Sequence, residues 1–152
     1  MKTAAIILFL ITARVATGAL PDMKTSPADA ILGKWMVKEG NLIVNVYREN
    51  NTFKAKVLWF DDTDDKTKPM ERRLDEKNHN KHLRNRRILG MDVLKNLQYD
   101  SVHNEWTGGK IYDCSSGREW DASISLTREG LLKVRGFWHL EIFGRTLYFK
   151  RI

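Results

Sequence analysis

The residues able to do chemistry are few and scattered. Cys114 is the one thiol in the chain, and it sits in Asp113-Cys114-Ser115-Ser116-Gly117, a composition that predicts a hairpin turn. A nucleophilic role would pair it with His103 or His139, yet a neighbouring carboxylate disfavours the thiolate. Asp113, Arg135 and Arg145 each fall in an apolar strand context, and a charge in such a place must be paired or solvated. An ion pair between Asp113 and one of these arginines is expected. It would serve either as a brace at the end of the fold or as part of a network that holds a polar ligand group. An arginine beside Asp113 lowers its pKa and makes it a poor general base, so an enzyme is the least favoured reading.

Metal chemistry has two starting points. Asp61, Asp62, Asp64 and Asp65 form an acidic run, but the sixth and twelfth positions of a loop counted from Asp61 hold Lys66 and Arg72. A calcium loop of the helix-loop-helix kind needs glycine and glutamate there. His79 and His82 are three apart, a spacing that a helix would place on one face, but Lys77, Lys81 and Arg84 surround them and would repel a cation. No metal and no cofactor is expected. There is no Gly-x-Ser-x-Gly, His-Glu-x-x-His or phosphate-binding loop.

The aromatic residues Tyr47, Trp59, Trp106, Tyr112, Trp120 and Trp138 could stack on bases if exposed. Trp59, Trp120 and Trp138 alternate with core positions, so burial is the simpler reading, and nucleic acid is not an expected partner.

The elements that must position these residues read as strands. Leu42, Val44 and Val46 alternate with Asn45 and Tyr47. Phe53, Ala55, Val57 and Trp59 alternate with Lys54 and Lys56. Trp120, Ala122, Ile124 and Leu126 repeat the pattern, followed by Leu132 and Val134, then Leu147 and Phe149. Period-2 alternation bounded by turn residues marks half-buried strands. Eight are expected, at 31–38, 41–48, 52–60, 90–98, 105–113, 118–127, 130–139 and 143–151. Short connections make neighbours antiparallel. A sheet of this kind with one apolar face closes into a barrel, which removes its edges. Trp59, Trp120, Ile124, Val134 and Phe149 are expected inside, leaving a small, mostly filled interior. Residues 61–89 carry no alternation and form one long loop, with room for a short helix near 70–77. A loop of that length in a compact fold is usually functional. It opens acidic and closes basic, with no acid after Glu76.

The chain has 152 residues and a formal net charge of +7. Lys2, the uncharged run Ala4 to Thr12 and the small residues Ala16-Thr17-Gly18 have the layout of a secretory signal peptide, with cleavage before Ala19. The apolar run is too short to span a bilayer, which takes about 20 apolar residues. Removal of residues 1–18 takes Lys2 and Arg14 away and leaves +5. The expected organisation is therefore a signal peptide (1–18) and a single domain (19–152, core 31–152), exported to the periplasm or secreted. A basic surface of this kind suits an anionic envelope surface or simple solubility.

Gly33-Lys34-Trp35 at the first strand resembles the start motif of lipocalins, in which the indole closes one end of the barrel. Arg151 or Arg145 would lie over it as a cation–π partner. Further on, Trp106-Thr107-Gly108-Gly109-Lys110-Ile111-Tyr112-Asp113, Ser116-Gly117, Leu132-Lys133-Val134-Arg135-Gly136 and Phe143-Gly144-Arg145-Thr146 follow in order. Together with Asp75, Lys77, Asn78, Leu83-Arg84, Arg86 and Ile88-Leu89-Gly90, this set resembles the bacterial family called domain of unknown function 2147, over about residues 33–151. Cys114 stands where that family usually has proline, and His79 where it usually has the proline of Asn-Pro. The resemblance implies a secreted, lipocalin-like barrel and no particular activity.

The reading is thus an all-β, antiparallel, eight-stranded lipocalin-like barrel that binds a small apolar or amphipathic ligand. Its candidate ligand-binding residues are Tyr47, Trp59, Trp106, Tyr112, Asp113, Trp120, Arg135 and Arg145. The alternative is a filled barrel whose basic segment Lys81 to Arg87 contacts an anionic envelope surface.

Overall fold

A computed structural model describes residues 26–138 and 140–152; the expected signal peptide lies outside them. Eight strands follow in chain order: β1 (Gly33–Val37), β2 (Leu42–Glu49), β3 (Thr52–Phe60), β4 (Asp92–Asp100), β5 (Glu105–Asp113), β6 (Arg118–Leu126), β7 (Leu132–Trp138) and β8 (Leu140–Arg151). Each pairs antiparallel with the next, and β8 pairs with β1, so the sheet is a closed barrel. The strand count and class match the alternation in the sequence.

Cross-strand partners share a face, so register assigns each side chain to the inside or the outside. Two bulges change what simple alternation gives. In β4, Asn96 takes a left-handed backbone (φ 59°) between the buried Leu94 and Leu97. The extra residue lets both leucines face inward. Between β2 and β3 the register shifts at Ile43/Val44. Val57 stays with buried Val44, but Trp59 is paired with Ile43 and lies on the outer face, 37% exposed. Trp59 is therefore not an interior residue; the bulge carries it outside.

One end of the barrel is sealed. A 3-10 turn, Pro27–Ile31, crosses beneath it with Ser26 as its cap. The indoles of Trp35 and Trp106 each donate to this turn, at 2.8 Å to the Ile31 carbonyl and 2.9 Å to that of Ala28. Above it Phe53, Leu97, Ile124 and Leu132 are 0–2% exposed. Phe53 meets Trp106 edge-on at 6.5 Å, and Tyr99 leans on the same indole at 5.0 Å. Burying side chains of this size yields about 1.5–3 kcal/mol each, which makes this end the main store of stability. Arg151 is the partner of Trp35. Its guanidinium lies 4.2 Å from the ring centroid and donates to the carbonyls of Leu32 and Ala30. Arg145, the other candidate for this contact, is far up the same strand.

Towards the opposite end several inward positions carry smaller groups, Val44, Val57, Ala122 and Gly136, beside the buried Leu94. The loop 61–91 leaves β3 and returns to β4 at this end. Its two 3-10 turns, Met70–Arg72 and Lys81–Leu83, replace the short helix expected at 70–77. The acidic run is used inside the loop. Arg73 bonds Asp64 at 2.6 Å and the Asp62 carbonyl at 2.9 Å, and Asp62 accepts from the Met70 amide at 2.7 Å.

Replacing Trp35 with Ala is expected to lower the unfolding free energy by about 3–5 kcal/mol, the range for a fully buried large side chain. Arg151→Met should cost less, and Arg151→Lys should recover little, because an ammonium cannot fork between two carbonyls. Urea unfolding followed by tryptophan fluorescence measures all three, and a wild-type midpoint for Trp35→Ala would refute the account of the sealed end.

Candidate functional site

The open end is built by the β5–β6 hairpin and the long loop. On the inner side, Ile111 pairs with Trp120, and Gly136 pairs with both Ala122 and Arg145. Asp113 lies two residues beyond Ile111 on the same face. Ile111 and Trp120 are half-buried, and Arg145 is exposed at the rim. A Cβ on Gly136 would sit 3.3 Å from the Ile111 side chain and 3.6 Å from that of Trp120, so glycine gives these two residues their room.

Asp113 is not in a buried ion pair with arginine. Its Oδ1 accepts from the Ser115 amide at 2.9 Å and hydroxyl at 2.7 Å, and its Oδ2 from the Ser116 hydroxyl at 2.7 Å. The carboxylate shapes the turn from within. Burial pushes its pKa up, but these hydrogen bonds and the positive charge of Arg145 outweigh that and hold it below the usual carboxylate range. It is an anion at the rim, not a proton acceptor. Burial, with Asp75 and Asp113 nearby, pushes the Cys114 thiol up to about 12, which keeps it protonated at neutral pH and disfavours the thiolate.

The buried carboxylate is Asp75, fully shielded from solvent. Tyr112 pairs with Glu119 and so faces outward, one residue out of phase with Ile111. The loop covers it there. Its hydroxyl donates to Asp75 Oδ1 at 2.6 Å. Asp75 Oδ2 receives the Asn78 amide at 2.7 Å and Arg86 through Nε at 3.0 Å and Nη2 at 2.8 Å. The Arg86 guanidinium also covers the Tyr112 ring, 5.2 Å from its centroid. Two further contacts fix the loop to the hairpin. Lys77 Nζ donates to the Ser115 carbonyl at 2.7 Å. Gly117 (φ 72°) lies so close that a Cβ there would be 1.9 Å from the Lys77 carbonyl oxygen; only glycine fits. Between loop and wall lies a cleft of about 380 Å³, whose lining includes Asn78, His79, Leu83, Arg86, Lys95 and Glu119.

The structure does not bring the eight candidate ligand-binding residues into one pocket. Asp113, Trp120 and Arg145 share the inner face of the open end. Trp106 faces inward but is buried in the sealed end. Tyr47 is on the outer wall, donating to Asp92 at 2.7 Å with Lys56 over its ring. Trp59 is outside as well. Tyr112 is outside under the loop, and Arg135 faces outward opposite Ser123. For Tyr47, Tyr112 and Arg135 the cause is strand parity, which the neighbours of Tyr47 and Arg135 already displayed; for Trp59 it is the bulge. The anchor residues Asp75, Asn78 and Arg86 were not singled out for this role. No local signal points to them: Tyr112 needs a partner only because the loop buries it, and that burial comes from a contact 37 residues away. His79 and His82 are both exposed. Asp100, His103 and Glu105 do gather within 4.8 Å, but at the hairpin tip of the sealed end, where Asp100 also caps the turn through the Val102 amide.

Residues 33–151 match the family model described as "Uncharacterized protein conserved in bacteria (DUF2147)". Among solved structures the barrel is similar to protein HP1028 from the human pathogen Helicobacter pylori, which belongs to the lipocalin family. The two are 22% identical over 80% of this chain and 82% of that one, with a TM-score of 0.66. That likeness shows the fold. No curated protein matches the chain.

Removing Arg86 leaves a shielded carboxylate short of its cation. Arg86→Met is therefore expected to cost about 3 kcal/mol, the low end for a broken buried pair because Arg86 is partly exposed. Tyr112→Phe should cost about 1–2 kcal/mol. Burial and the bond to Asp75 push the Tyr112 hydroxyl from 10.0 to about 12. Between those values the folded chain keeps a proton that the unfolded chain loses, so stability is full below pH 10 and falls as pH rises through the window. Tyr112→Phe should flatten that fall and remove one late step from the absorbance titration at alkaline pH. Loss of a step near pH 10 in place of the late one would show that Tyr112 is not bonded to Asp75.

Proposed function

We propose that this chain, which belongs to the DUF2147 family of uncharacterized bacterial proteins, is an exported barrel that binds one small apolar or amphipathic molecule at its open end. An eight-stranded barrel has an interior just wide enough to be filled by side chains or to hold one small ligand, as lipocalins do.

The observation that carries the reading is the gradient along the inner face. At the sealed end the inward residues are Trp35, Phe53, Trp106 and Phe149, all 0–4% exposed. Towards the open end smaller groups, Val44, Val57, Ala122 and Gly136, stand among them beside the buried Leu94, and the face finishes at half-buried Ile111 and Trp120. Beyond these stand an anion, Asp113, and a cation, Arg145. An apolar tail would lie against Ile111 and Trp120, and a polar head would meet the charged rim. Pockets with apolar walls and a few placed polar groups are the usual form of small-molecule sites. The export half of the proposal is supported by the layout of residues 1–18.

Native mass spectrometry of the chain with fatty acids and the matching alcohols tests the binding. Bound ligand with a change in tryptophan emission is expected, and Arg145→Ala should weaken the acid by about tenfold while sparing the alcohol, the effect of losing one charge-assisted hydrogen bond. Absence of binding across a range of chain lengths would overturn the reading. Expressed with residues 1–18 intact, the exported product should begin at Ala19; a product retaining Met1 would overturn the export.

A further inference from the structure

The two halves of the long loop handle charge differently. From Asp61 to Glu76 both signs are mixed and largely satisfied within the loop, as in Arg73–Asp64 and Lys68–Glu76. From Lys77 to Met91 there is no acid at all. Five fixed cations fall between Lys77 and Arg87. Arg86 turns inward to Asp75. The other four, Lys77, Lys81, Arg84 and Arg87, are exposed, and among the described residues none has a carboxylate within ion-pair distance. Lys77 and Arg84 spend one donor each on the carbonyls of Ser115 and Asn78, which orders their stems without neutralising the charge.

Leu83 lies among these cations at the end of the 3-10 turn Lys81–Leu83 and is 39% exposed. The segment is tied to its surroundings at several points. Leu74 bridges Arg87 across the loop, the Ile88 amide donates to the Arg73 carbonyl at 3.1 Å, and the Asp75 cluster locks the middle. The nearest acids on the adjoining hairpin are engaged: Glu119 faces Lys95, and Asp113 is bound by its own turn.

We infer that this face, residues 77–87, is a docking surface for an anionic lipid bilayer. Clusters of four or more lysines and arginines bind anionic headgroups, and an apolar side chain among them can enter the interface. Phenylalanine, tyrosine and tryptophan are absent from 77–91, so the stacking platform that single-stranded nucleic acid requires is missing. The face sits beside the open end, and docking brings the barrel rim to the bilayer. It stands on the loop alone, whatever the barrel holds.

Co-sedimentation of the purified protein with vesicles tests it. Binding is expected to phosphatidylcholine vesicles containing about 30% phosphatidylglycerol and not to pure phosphatidylcholine, and to fall steeply between about 0.05 and 0.5 M salt. Lys81 and Arg87 make no side-chain contact that the fold needs. Lys81→Glu with Arg87→Glu should weaken binding about a hundredfold or more, and the milder Lys81→Gln with Arg87→Gln about tenfold. Lys34→Glu with Lys150→Glu makes the same change in net charge at the sealed end and should weaken it by less than about threefold. Leu83→Ala should weaken it several-fold. Circular dichroism confirms that each variant is folded. Equal losses from the loop and the sealed-end pairs would show that net charge alone acts, and would overturn the inference. Equal affinity for neutral vesicles would do the same. Binding to soluble polyphosphate as tight as to vesicles, with Leu83→Ala silent, would assign the loop to a soluble polyanion instead.

Discussion

A carboxylate cannot leave water unless donors receive it, and Asp75 has left water completely. Its four donor contacts come from Tyr112 on the barrel wall and from Asn78 and Arg86 within the loop. Satisfying it therefore fixes three things together. The loop must turn back on itself so that residue 86 meets residue 75. It must lie on the outer face of β5, since that is where Tyr112 points. And Arg86 must face inward, which leaves the cations around it facing out. Removing any one donor strands charge or polarity that the rest cannot solvate. The path of a segment with almost no regular structure thus depends on one buried anion.

The barrel solves a different problem. Its inner surface is apolar and would be exposed at both ends of an open tube. At one end two indoles dock on a 3-10 turn, and Arg151 covers Trp35 from the rim. Large side chains fill the space above. The other end is built differently: Leu94, Ile111 and Trp120 face inward around Gly136, and the rim carries a carboxylate tied to its own turn and an exposed arginine. Binding sites are drawn from the less tightly packed parts of a fold, and here the asymmetry of packing separates the part that stabilises from the part proposed to meet ligand.

Much of this was legible in the sequence, for a definite reason. Alternation of period 2 reports directly on which face is buried, so eight strands and their closure could be read from residues such as Val44/Val46, Ala122/Ile124 and Leu132/Val134. Alternation fails at a bulge, because one extra residue inverts every side chain beyond it. That is why Trp59, in phase with Val57 by count, lies outside, and why Leu94 and Leu97 both lie inside. The candidate site was less legible. Tyr47 and Arg135 were grouped with the pocket for their chemistry although their parity put them outside. Tyr112, Asp75 and Arg86 are 37 and 11 residues from one another along the chain, and nothing local marks a contact of that range. The arginine partner of the sealed end was legible only as a choice between Arg151 and Arg145 that the lipocalin resemblance implied; the pairing of Trp35 with Arg151 across the closing strands decides it.

The same-sign stretch after Glu76 bears on how the two problems are joined. Five cations within eleven residues repel one another over distances near the Debye length of about 8 Å, and a loop free to move would spread them apart. Here the spread is prevented by the anchor: Arg86 is neutralised by Asp75, Lys77 is tied to the β5–β6 turn, and Gly117 lets the two backbones touch. Holding the remaining charges close costs stability, and the buried pair with its tyrosine offsets that cost. A fold that only needed to cover the Tyr112 face could have done so with the mixed charges used from Asp61 to Glu76. Rigid display of one sign beside the barrel's open end, at an energetic cost borne by a buried carboxylate, is the arrangement expected of a surface that waits for a counter-charge from outside the molecule.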